Sequence, residues 1–133
     1  MNERRLALLK VALRLGGLYY IVGAAAHGFG LTIFPFYDGR LYSPYHDTLI
    51  ALSAIIFSLV LFTIAHDPIK NVALLNVIIV ACIVAVIVTI IMVWKIDFTA
   101  LGAPAKHLQA IVEAILLAIY ALVLALLRPK IGT

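Results

Sequence analysis

Residues 71–94 constrain the fold of this chain more than any other stretch. They read NVALLNVIIVACIVAVIVTIIMVW and contain no charged residue. A helix of this length, at about 1.5 Å per residue, spans the roughly 30 Å hydrocarbon core of a bilayer. The stretch therefore predicts a transmembrane helix, and the rest of the chain has to be organised around it.

The composition extends this conclusion to the whole chain. Of its 133 residues, 65% are hydrophobic and only 12% are charged, whereas a soluble domain carries about 25% charged residues. The net charge of +4 comes from Lys and Arg scattered at segment ends, which does not suggest a nucleic-acid partner. The single cysteine excludes an intrachain disulfide. We expect one integral membrane domain.

Apolar segments separated by turn signals divide the chain into four predicted helices, at about residues 3–28, 47–66, 69–95 and 106–127. The second helix has an alternative start at Ser43-Pro44, and Asp67-Pro68 is expected to open the third by cap and first-turn rules. The connections are too short for a soluble catalytic domain. The pattern predicts an all-α, up-down four-helix transmembrane bundle.

The N-terminal segment resembles a signal peptide, but Lys10 and Arg14 interrupt its apolar run, so we interpret it as the first membrane helix. Basic residues in short loops favour the cytoplasmic side. One side of the predicted bundle holds Arg4, Arg5, Lys10, Lys70, Arg128 and Lys130. On the other side, Arg40, Lys95 and Lys106 are offset by Asp38, Asp47 and Asp97. This distribution predicts a multi-pass protein of the cell membrane with both termini cytoplasmic.

The connection between the first two helices is strongly aromatic and contains Gly and Pro turn signals. Its aromatic residues are Phe34, Phe36, Tyr37, Tyr42 and Tyr45. We expect an ordered interfacial or re-entrant loop, with Tyr42, Tyr45 and Trp94 as anchors at the membrane–water interface. Arg14, near the opposite boundary, is expected to extend its side chain toward lipid headgroups.

Small residues at helical spacing predict close contacts between helices. They are Gly16 and Gly23 on the first helix, and Ala51, Ala54 and Ser58 on the second. The same face of the first helix carries Tyr20 and His27, which are expected to point into the bundle. Asn76 on the third helix is expected to hydrogen-bond across helices.

Glu113 is the one acidic residue well inside a predicted span. An ionised carboxylate there is costly unless it is protonated, paired or exposed to a wet cavity. Gln109 and Tyr120 share its helix face, and by depth it should lie level with Tyr19 and Tyr20. Two interpretations stay open: a proton or ligand site, or a protonated Glu that fixes helix packing.

Three histidines fall at the outer ends of predicted helices, above Glu113 and near Asp47: His27, His46 and His107. Such a group could bind a divalent metal or a haem iron. Against this, the sequence has no HxxxH or HExxH pair. Hydrogen bonding at the interface is the alternative.

The segment from Leu13 to Gly17, followed by Gly23 and His27, resembles the first helix of DoxX-like small four-helix membrane proteins. That family has an Arg-x-x-Gly opening, then Gly, then His near the helix end. The resemblance covers mostly the first helix, and its matching positions are Arg14, Gly16, Gly23 and His27. It implies a four-helix membrane fold and a link to quinone or sulfur redox chemistry, often as a membrane subunit.

Three functions fit these features. The first is a non-catalytic integral subunit or accessory protein of a larger membrane complex, with lipids and other membrane subunits, or further copies of the chain, as partners. The second is a quinone- or metal-linked redox protein that places Tyr20, His27, His107 and Glu113 around one cofactor, either a haem, a quinone or a metal. The third is a small oligomeric transporter or channel with Glu113 as its coupling acid. Catalysis by the chain alone is not expected.

Overall fold

The computed structural model describes residues 2–35 and 37–129. Phe36, one of the aromatic residues of the connection, and Lys130, one of the basic residues at the terminal side, lie outside the described residues. The described residues form four long helices and one short 3₁₀ helix: α1 (Glu3–Phe29), the 3₁₀ helix (Gly39–Leu41), α2 (Pro44–His66), α3 (Val72–Lys95) and α4 (Ala105–Leu127). All four α-helices are long and apolar enough to cross a bilayer. The predicted all-α four-helix bundle is confirmed, and the protein is a multi-pass membrane protein.

The helices pack as two antiparallel pairs, α1 with α2 and α3 with α4. The pairs meet mainly where α1 contacts α4, while the contact between α2 and α3 is sparse. The guanidinium of Arg5 donates a hydrogen bond to the carbonyl of Leu126, which joins the start of α1 to the end of α4. We call this the terminal end of the bundle. The connections 30–43 and 96–104 lie at the opposite, loop end.

The helix boundaries agree closely with prediction except at the start of α3. Helix α2 begins at Pro44, the earlier of the two predicted starts, where a proline suits the first helical position. Helix α3 begins at Val72 rather than 69. The reason is a turn in which Asp67 Oδ1 accepts from the Lys70 N–H (3.1 Å) and the Asp67 carbonyl accepts from Asn71 Nδ2 (2.9 Å). Asp67 therefore holds this turn and does not cap the helix.

The half of the bundle near the terminal end has a dense apolar core to which all four helices contribute. Six of its side chains have no exposed surface: Leu9, Leu13, Leu61, Ile64, Leu75 and Leu124. Among the described residues, the half near the loop end has a small alanine cluster between α1 and α2, formed by Ala24, Ala51 and Ala54. Of the buried polar or charged residues that the structure describes, Asp38, Asp47 and Gln109 lie toward the loop end, and Ser58 lies toward the terminal end.

Small residues produce close helix contacts at some predicted positions but not at all. Ser58 is buried, and its hydroxyl donates to the Gly17 carbonyl on α1 (2.9 Å). Gly16 is buried against the Tyr120 hydroxyl, so that a methyl group at residue 16 would collide with it. At Gly23, a methyl group would meet nothing within 4 Å. The predicted close approach at Gly23 is therefore not formed.

The predicted interface residues lie on the surface. Trp94 is 87% exposed at the loop end of α3, and Tyr45 is 72% exposed. Tyr42 is also exposed, and its ring covers Gly30, which ends α1 with a positive φ of 62°. Arg14 is exposed on α1. Asn76 is half-buried, and its side chain makes no hydrogen bond to another described residue, so the predicted bond across helices is not formed.

Candidate functional site

The aromatic connection at the loop end is ordered by its own hydrogen bonds. Ile33 and Tyr37 exchange two backbone hydrogen bonds of 3.0 and 2.9 Å. Asp38 then caps the 3₁₀ helix and accepts from the Arg40 side chain through both oxygens, at 3.0 Å to Nε and 2.6 Å to Nη2. The hydrogen-bonded Arg40 guanidinium lowers the pKa of the buried Asp38 carboxyl, and the Lys106 ammonium on α4 lowers it further. The connection is thus held by an internal ion pair between Asp38 and Arg40.

A histidine–carboxylate pair joins α1 to α2 beneath this connection. His27 Nδ1 lies 2.6 Å from Asp47 Oδ1. Asp47 is only 4% exposed, and its other oxygen accepts from the Ser43 N–H at 2.5 Å. The Tyr37 ring covers His27, with ring centroids 4.1 Å apart. The buried Asp47 is therefore held from both helices and covered by the connection.

The Tyr37 hydroxyl is also buried, close to the His27–Asp47 pair. Burial raises the pKa of Tyr37, and the neighbouring Asp47 carboxylate raises it further. Although the two groups are close, the hydroxyl makes no hydrogen bond of standard geometry to a described residue. It remains protonated at physiological pH.

Glu113 is paired within the membrane-spanning part of the bundle. Its Oε1 accepts from the Tyr19 hydroxyl on α1 at 2.9 Å. Its Oε2 lies 4.0 Å from Lys106 Nζ, which stands on the same helix about two turns nearer the loop end. The side chain of Glu113 is 32% exposed. The structure thus pairs Glu113 with Tyr19 and Lys106, and not with Tyr20.

A cleft of about 220 Å³ lies between α1 and α4 on the terminal side of Glu113. Its walls include Leu15, Tyr19 and Tyr20 from α1 and Leu116, Leu117 and Tyr120 from α4. The Tyr20 ring stacks on Phe57 of α2, with centroids 5.5 Å apart. Tyr19 meets Tyr20 edge-on, also at 5.5 Å. Three tyrosine rings therefore border one otherwise apolar cleft.

Two buried polar atoms of α4, one of them beside this cleft, have no hydrogen-bond partner among the described residues. They are the Tyr120 hydroxyl oxygen and Gln109 Oε1, on the face of α4 that also carries Glu113. Gln109 is only 3% exposed. An unpaired polar group in an apolar environment costs several kcal/mol, roughly 2–7 depending on the reference state. This face of α4 consequently presents hydrogen-bonding capacity that the bundle itself does not use.

Among the described residues, the predicted metal ligands are not brought together. His107 is exposed in a groove between α3 and α4, and it packs against Phe98. His46 pairs with the Ser43 hydroxyl (3.0 Å). Among the described residues, no group of three or more His, Cys, Asp or Glu could hold a metal ion. The described residues His27, His107 and Glu113 therefore do not form one metal site.

The residue pattern places Tyr19 at the depth of Glu113 and Asp47 near the histidines without assigning either a contact. It does not assign Tyr37, Asp38 or Lys106 to the site. Two signals were present in the sequence. Lys106 stands seven residues before Glu113 and so shares its helix face, and Tyr19 is at the matching depth on α1. The contacts of Tyr37 and Asp47 depend on the path of the aromatic connection, which the residue pattern does not specify.

Comparison of the chain with protein-family models, with curated proteins and with solved structures finds no match. The resemblance of α1 to DoxX-like proteins consequently stays a prediction.

Proposed function

We propose that this protein is a non-catalytic membrane component that holds a membrane-soluble small molecule in the cleft between α1 and α4. The observation that carries the proposal is the Tyr120 hydroxyl, which is buried beside the cleft without a partner among the described residues. A bound molecule with an oxygen or nitrogen atom would pair this hydroxyl and remove its desolvation cost. We infer binding and not catalysis, because the polar groups that line the cleft are tyrosine hydroxyls and the nearby Glu113 carboxylate is paired with Tyr19 and Lys106.

The flanks of the cleft favour entry from the lipid. Leu15 is 60% exposed on α1, and Leu116 is 46% exposed on α4. These side chains face the hydrocarbon in a membrane-spanning bundle, so a molecule dissolved in the bilayer can approach laterally between them. A quinone is one such molecule, since its carbonyl oxygens accept hydrogen bonds from tyrosine. Binding of a quinone here would agree with the predicted quinone-linked redox function, and it would require neither a metal nor a histidine.

The charge distribution supports a location in the cell membrane with the terminal end at the cytoplasmic side. Paired cysteine variants test this orientation, because the native Cys82 is buried. A thiol introduced at exposed Thr99 should react with a membrane-impermeant maleimide on intact cells. A thiol at Asn2 should react only after the cells are opened. The reverse pattern would invert the proposed orientation.

The binding proposal is tested by extracting the protein into nanodiscs with its native lipids and measuring co-purifying small molecules by native mass spectrometry. Tyr120→Phe removes the unpartnered hydroxyl, while Tyr45→Phe makes the same change at an exposed position. Loss of one hydrogen bond of about 1 kcal/mol predicts roughly five-fold less bound molecule in Tyr120→Phe only. Equal amounts in all three proteins would exclude the cleft as the binding site.

A second candidate function, a structural subunit, is supported by a groove between α3 and α4. This groove has a volume of about 650 Å³ near Trp94, and an adjoining hollow of about 360 Å³ continues it toward the terminal end. The α4 side of both includes small residues, Ala114, Ala118, Ala121 and Ala125, beside the larger His107, Ile111, Ile115 and Leu122. Small residues at this spacing let a transmembrane helix of another membrane protein approach closely.

The subunit function is tested by a pull-down from native membranes in a gentle detergent. Ala118→Phe fills the groove, and Leu52→Phe adds an aromatic ring to an exposed position on α2 as the control. A partner lost from Ala118→Phe and retained by Leu52→Phe would support this function. A protein that purifies alone from native membranes would oppose it.

A further inference from the structure

We propose, resting on the proposed function, that the molecule held between α1 and α4 is an organic cation, a protonated amine on an apolar body, with Glu113 as its counter-ion. Three features of the described residues carry this assignment. They are a partly exposed carboxylate inside the membrane span, an adjoining cleft lined by three aromatic rings, and a lysine that stands beyond hydrogen-bonding distance of the same carboxylate.

The accessible oxygen is Glu113 Oε2. The Tyr19 hydroxyl donates to Oε1, but no hydrogen bond from a described residue reaches Oε2. Lys106 Nζ stands 4.0 Å away, which is beyond hydrogen-bonding distance. With the side chain 32% exposed, Oε2 can accept a hydrogen bond from an ammonium N–H. A charge-assisted bond of this kind is about twice as strong as a neutral one.

The aromatic rings are those of Tyr19, Tyr20 and Tyr120. The faces of aromatic rings attract cations within about 6 Å of their centroids, and aromatic cages are a recurrent means of binding ammonium groups. Leu15 and Leu116 provide apolar walls for the rest of the molecule. Glu113 lies next to the cleft and not in its lining, and Tyr19, one wall of the cleft, donates to the Glu113 carboxylate. Ring faces and apolar surface therefore adjoin a negative charge, and an amphiphilic amine requires these three properties together.

Lys106 is the internal competitor for the Glu113 carboxylate. Its Nζ lies 4.0 Å from Glu113 Oε2, so an ammonium group of the ligand that approaches Oε2 competes with it. With the amine at Oε2, the Glu113 carboxylate keeps a cationic partner inside the membrane span.

Neutral and anionic ligands would gain less from the Glu113 carboxylate and the aromatic rings than an organic cation would. A neutral oxygen-bearing molecule would pair Tyr120 but gain nothing from the charge of Glu113. An anion would be repelled by Glu113. Substitutions of these two residues should consequently have opposite effects. Removing the Glu113 carboxylate should weaken the binding of an amine, whereas removing the Lys106 ammonium should strengthen it.

The test compares dodecylamine with dodecanol, which has a similar chain but carries no charge. Binding is measured at pH 7 by native mass spectrometry and calorimetry on protein in nanodiscs, with protein-free nanodiscs correcting for partition into lipid. Wild-type protein should bind the amine more tightly. Loss of a charge-assisted hydrogen bond predicts about 10-fold to 100-fold weaker amine binding in Glu113→Gln. Lys106→Met should bind the amine several-fold more tightly, and Tyr45→Phe should match wild type.

Each outcome decides between the explanations. If Glu113→Gln and Lys106→Met both weaken amine binding, the pair is structural and the cation assignment fails. If dodecanol binds as tightly as the amine and depends on Tyr120 alone, the assignment fails while the proposed binding function stands. If neither compound binds and no native molecule co-purifies, the proposed function fails too. Should Glu113→Gln not fold, the comparison of amine with alcohol on wild type and Lys106→Met still decides.

Discussion

Two glycine-to-alanine changes on the same helix should have opposite effects. Gly16→Ala introduces a methyl group that would collide with the Tyr120 hydroxyl and lie 3.3 Å from a Leu61 methyl carbon. Gly23→Ala introduces the same group seven residues later, where nothing lies within 4 Å. The pair therefore isolates packing between helices, because the change in helix propensity is the same at both positions.

The magnitudes follow from two opposing effects. Replacing Gly by Ala inside a helix stabilises it by up to about 1 kcal/mol. Overpacking a close contact costs about 1–3 kcal/mol. Gly23→Ala should thus be neutral or stabilising by up to about 1 kcal/mol, and Gly16→Ala should be less stable than Gly23→Ala by about 1–3 kcal/mol.

The assay is the unfolding of purified protein in mixed micelles by titration with a denaturing detergent, followed by circular dichroism. A third protein, Gly16→Ala combined with Tyr120→Leu, tests the cause, since shortening residue 120 removes the atoms that the new methyl group meets. The coupling free energy between the two changes should be favourable and about 1–2 kcal/mol. Equal stability of Gly16→Ala and Gly23→Ala would refute the packing of α1 against α4 described here.

Three further perturbations report on other contacts. Ser58→Ala removes one hydrogen bond between α2 and α1 and should cost about 0.6 kcal/mol in the same assay. Gly39→Ala places a methyl group against the backbone carbonyl of Gly30, which cannot move aside as a side chain can, so proteolysis within residues 30–43 should accelerate. Because the Arg40 hydrogen bonds lower the pKa of Asp38 in the folded protein, their stabilisation is complete above the ordinary carboxyl pKa of about 4. It is lost as the pH falls through the lowered value, and Asp38→Asn should remove that part of the acid sensitivity of the connection.

The sequence predicts the helices well because each is a long apolar run bounded by Pro, Gly or charged residues. The start of α3 is the exception. Asp67-Pro68 has the residue types of a helix start, but the Asp67 side chain bonds to Lys70 within a turn instead. Local hydrogen bonds of Asp compete with helix capping, and composition alone does not decide between them.

The site is predicted less completely, since its contacts join elements that are distant in sequence. Helix periodicity is sufficient to place Gln109, Glu113 and Tyr120 on one face. It does not show that Tyr19, and not Tyr20, turns toward Glu113, because adjacent residues on a helix point about 100° apart and the rotation of α1 is set by packing. The same spacing rule predicts both Gly16 and Gly23 as contact positions, but only Gly16 meets another helix.

The two halves of the bundle differ in a way that bears on all three functions. In the terminal half, the side chains of Leu9, Leu13, Leu61 and Leu124 fill the space between helices and have no exposed surface. The loop half contains the Glu113 pair and the His27–Asp47 pair, and the cleft lies between them and the terminal core, which Tyr20, Leu117 and Tyr120 contact. A polar molecule or proton that reaches Glu113 from the loop end or from the lipid therefore meets a closed apolar layer before the terminal end. Transport through a single copy would require this layer to open, whereas binding requires no rearrangement of it. The asymmetry consequently favours a membrane component that receives and returns its molecule on one side.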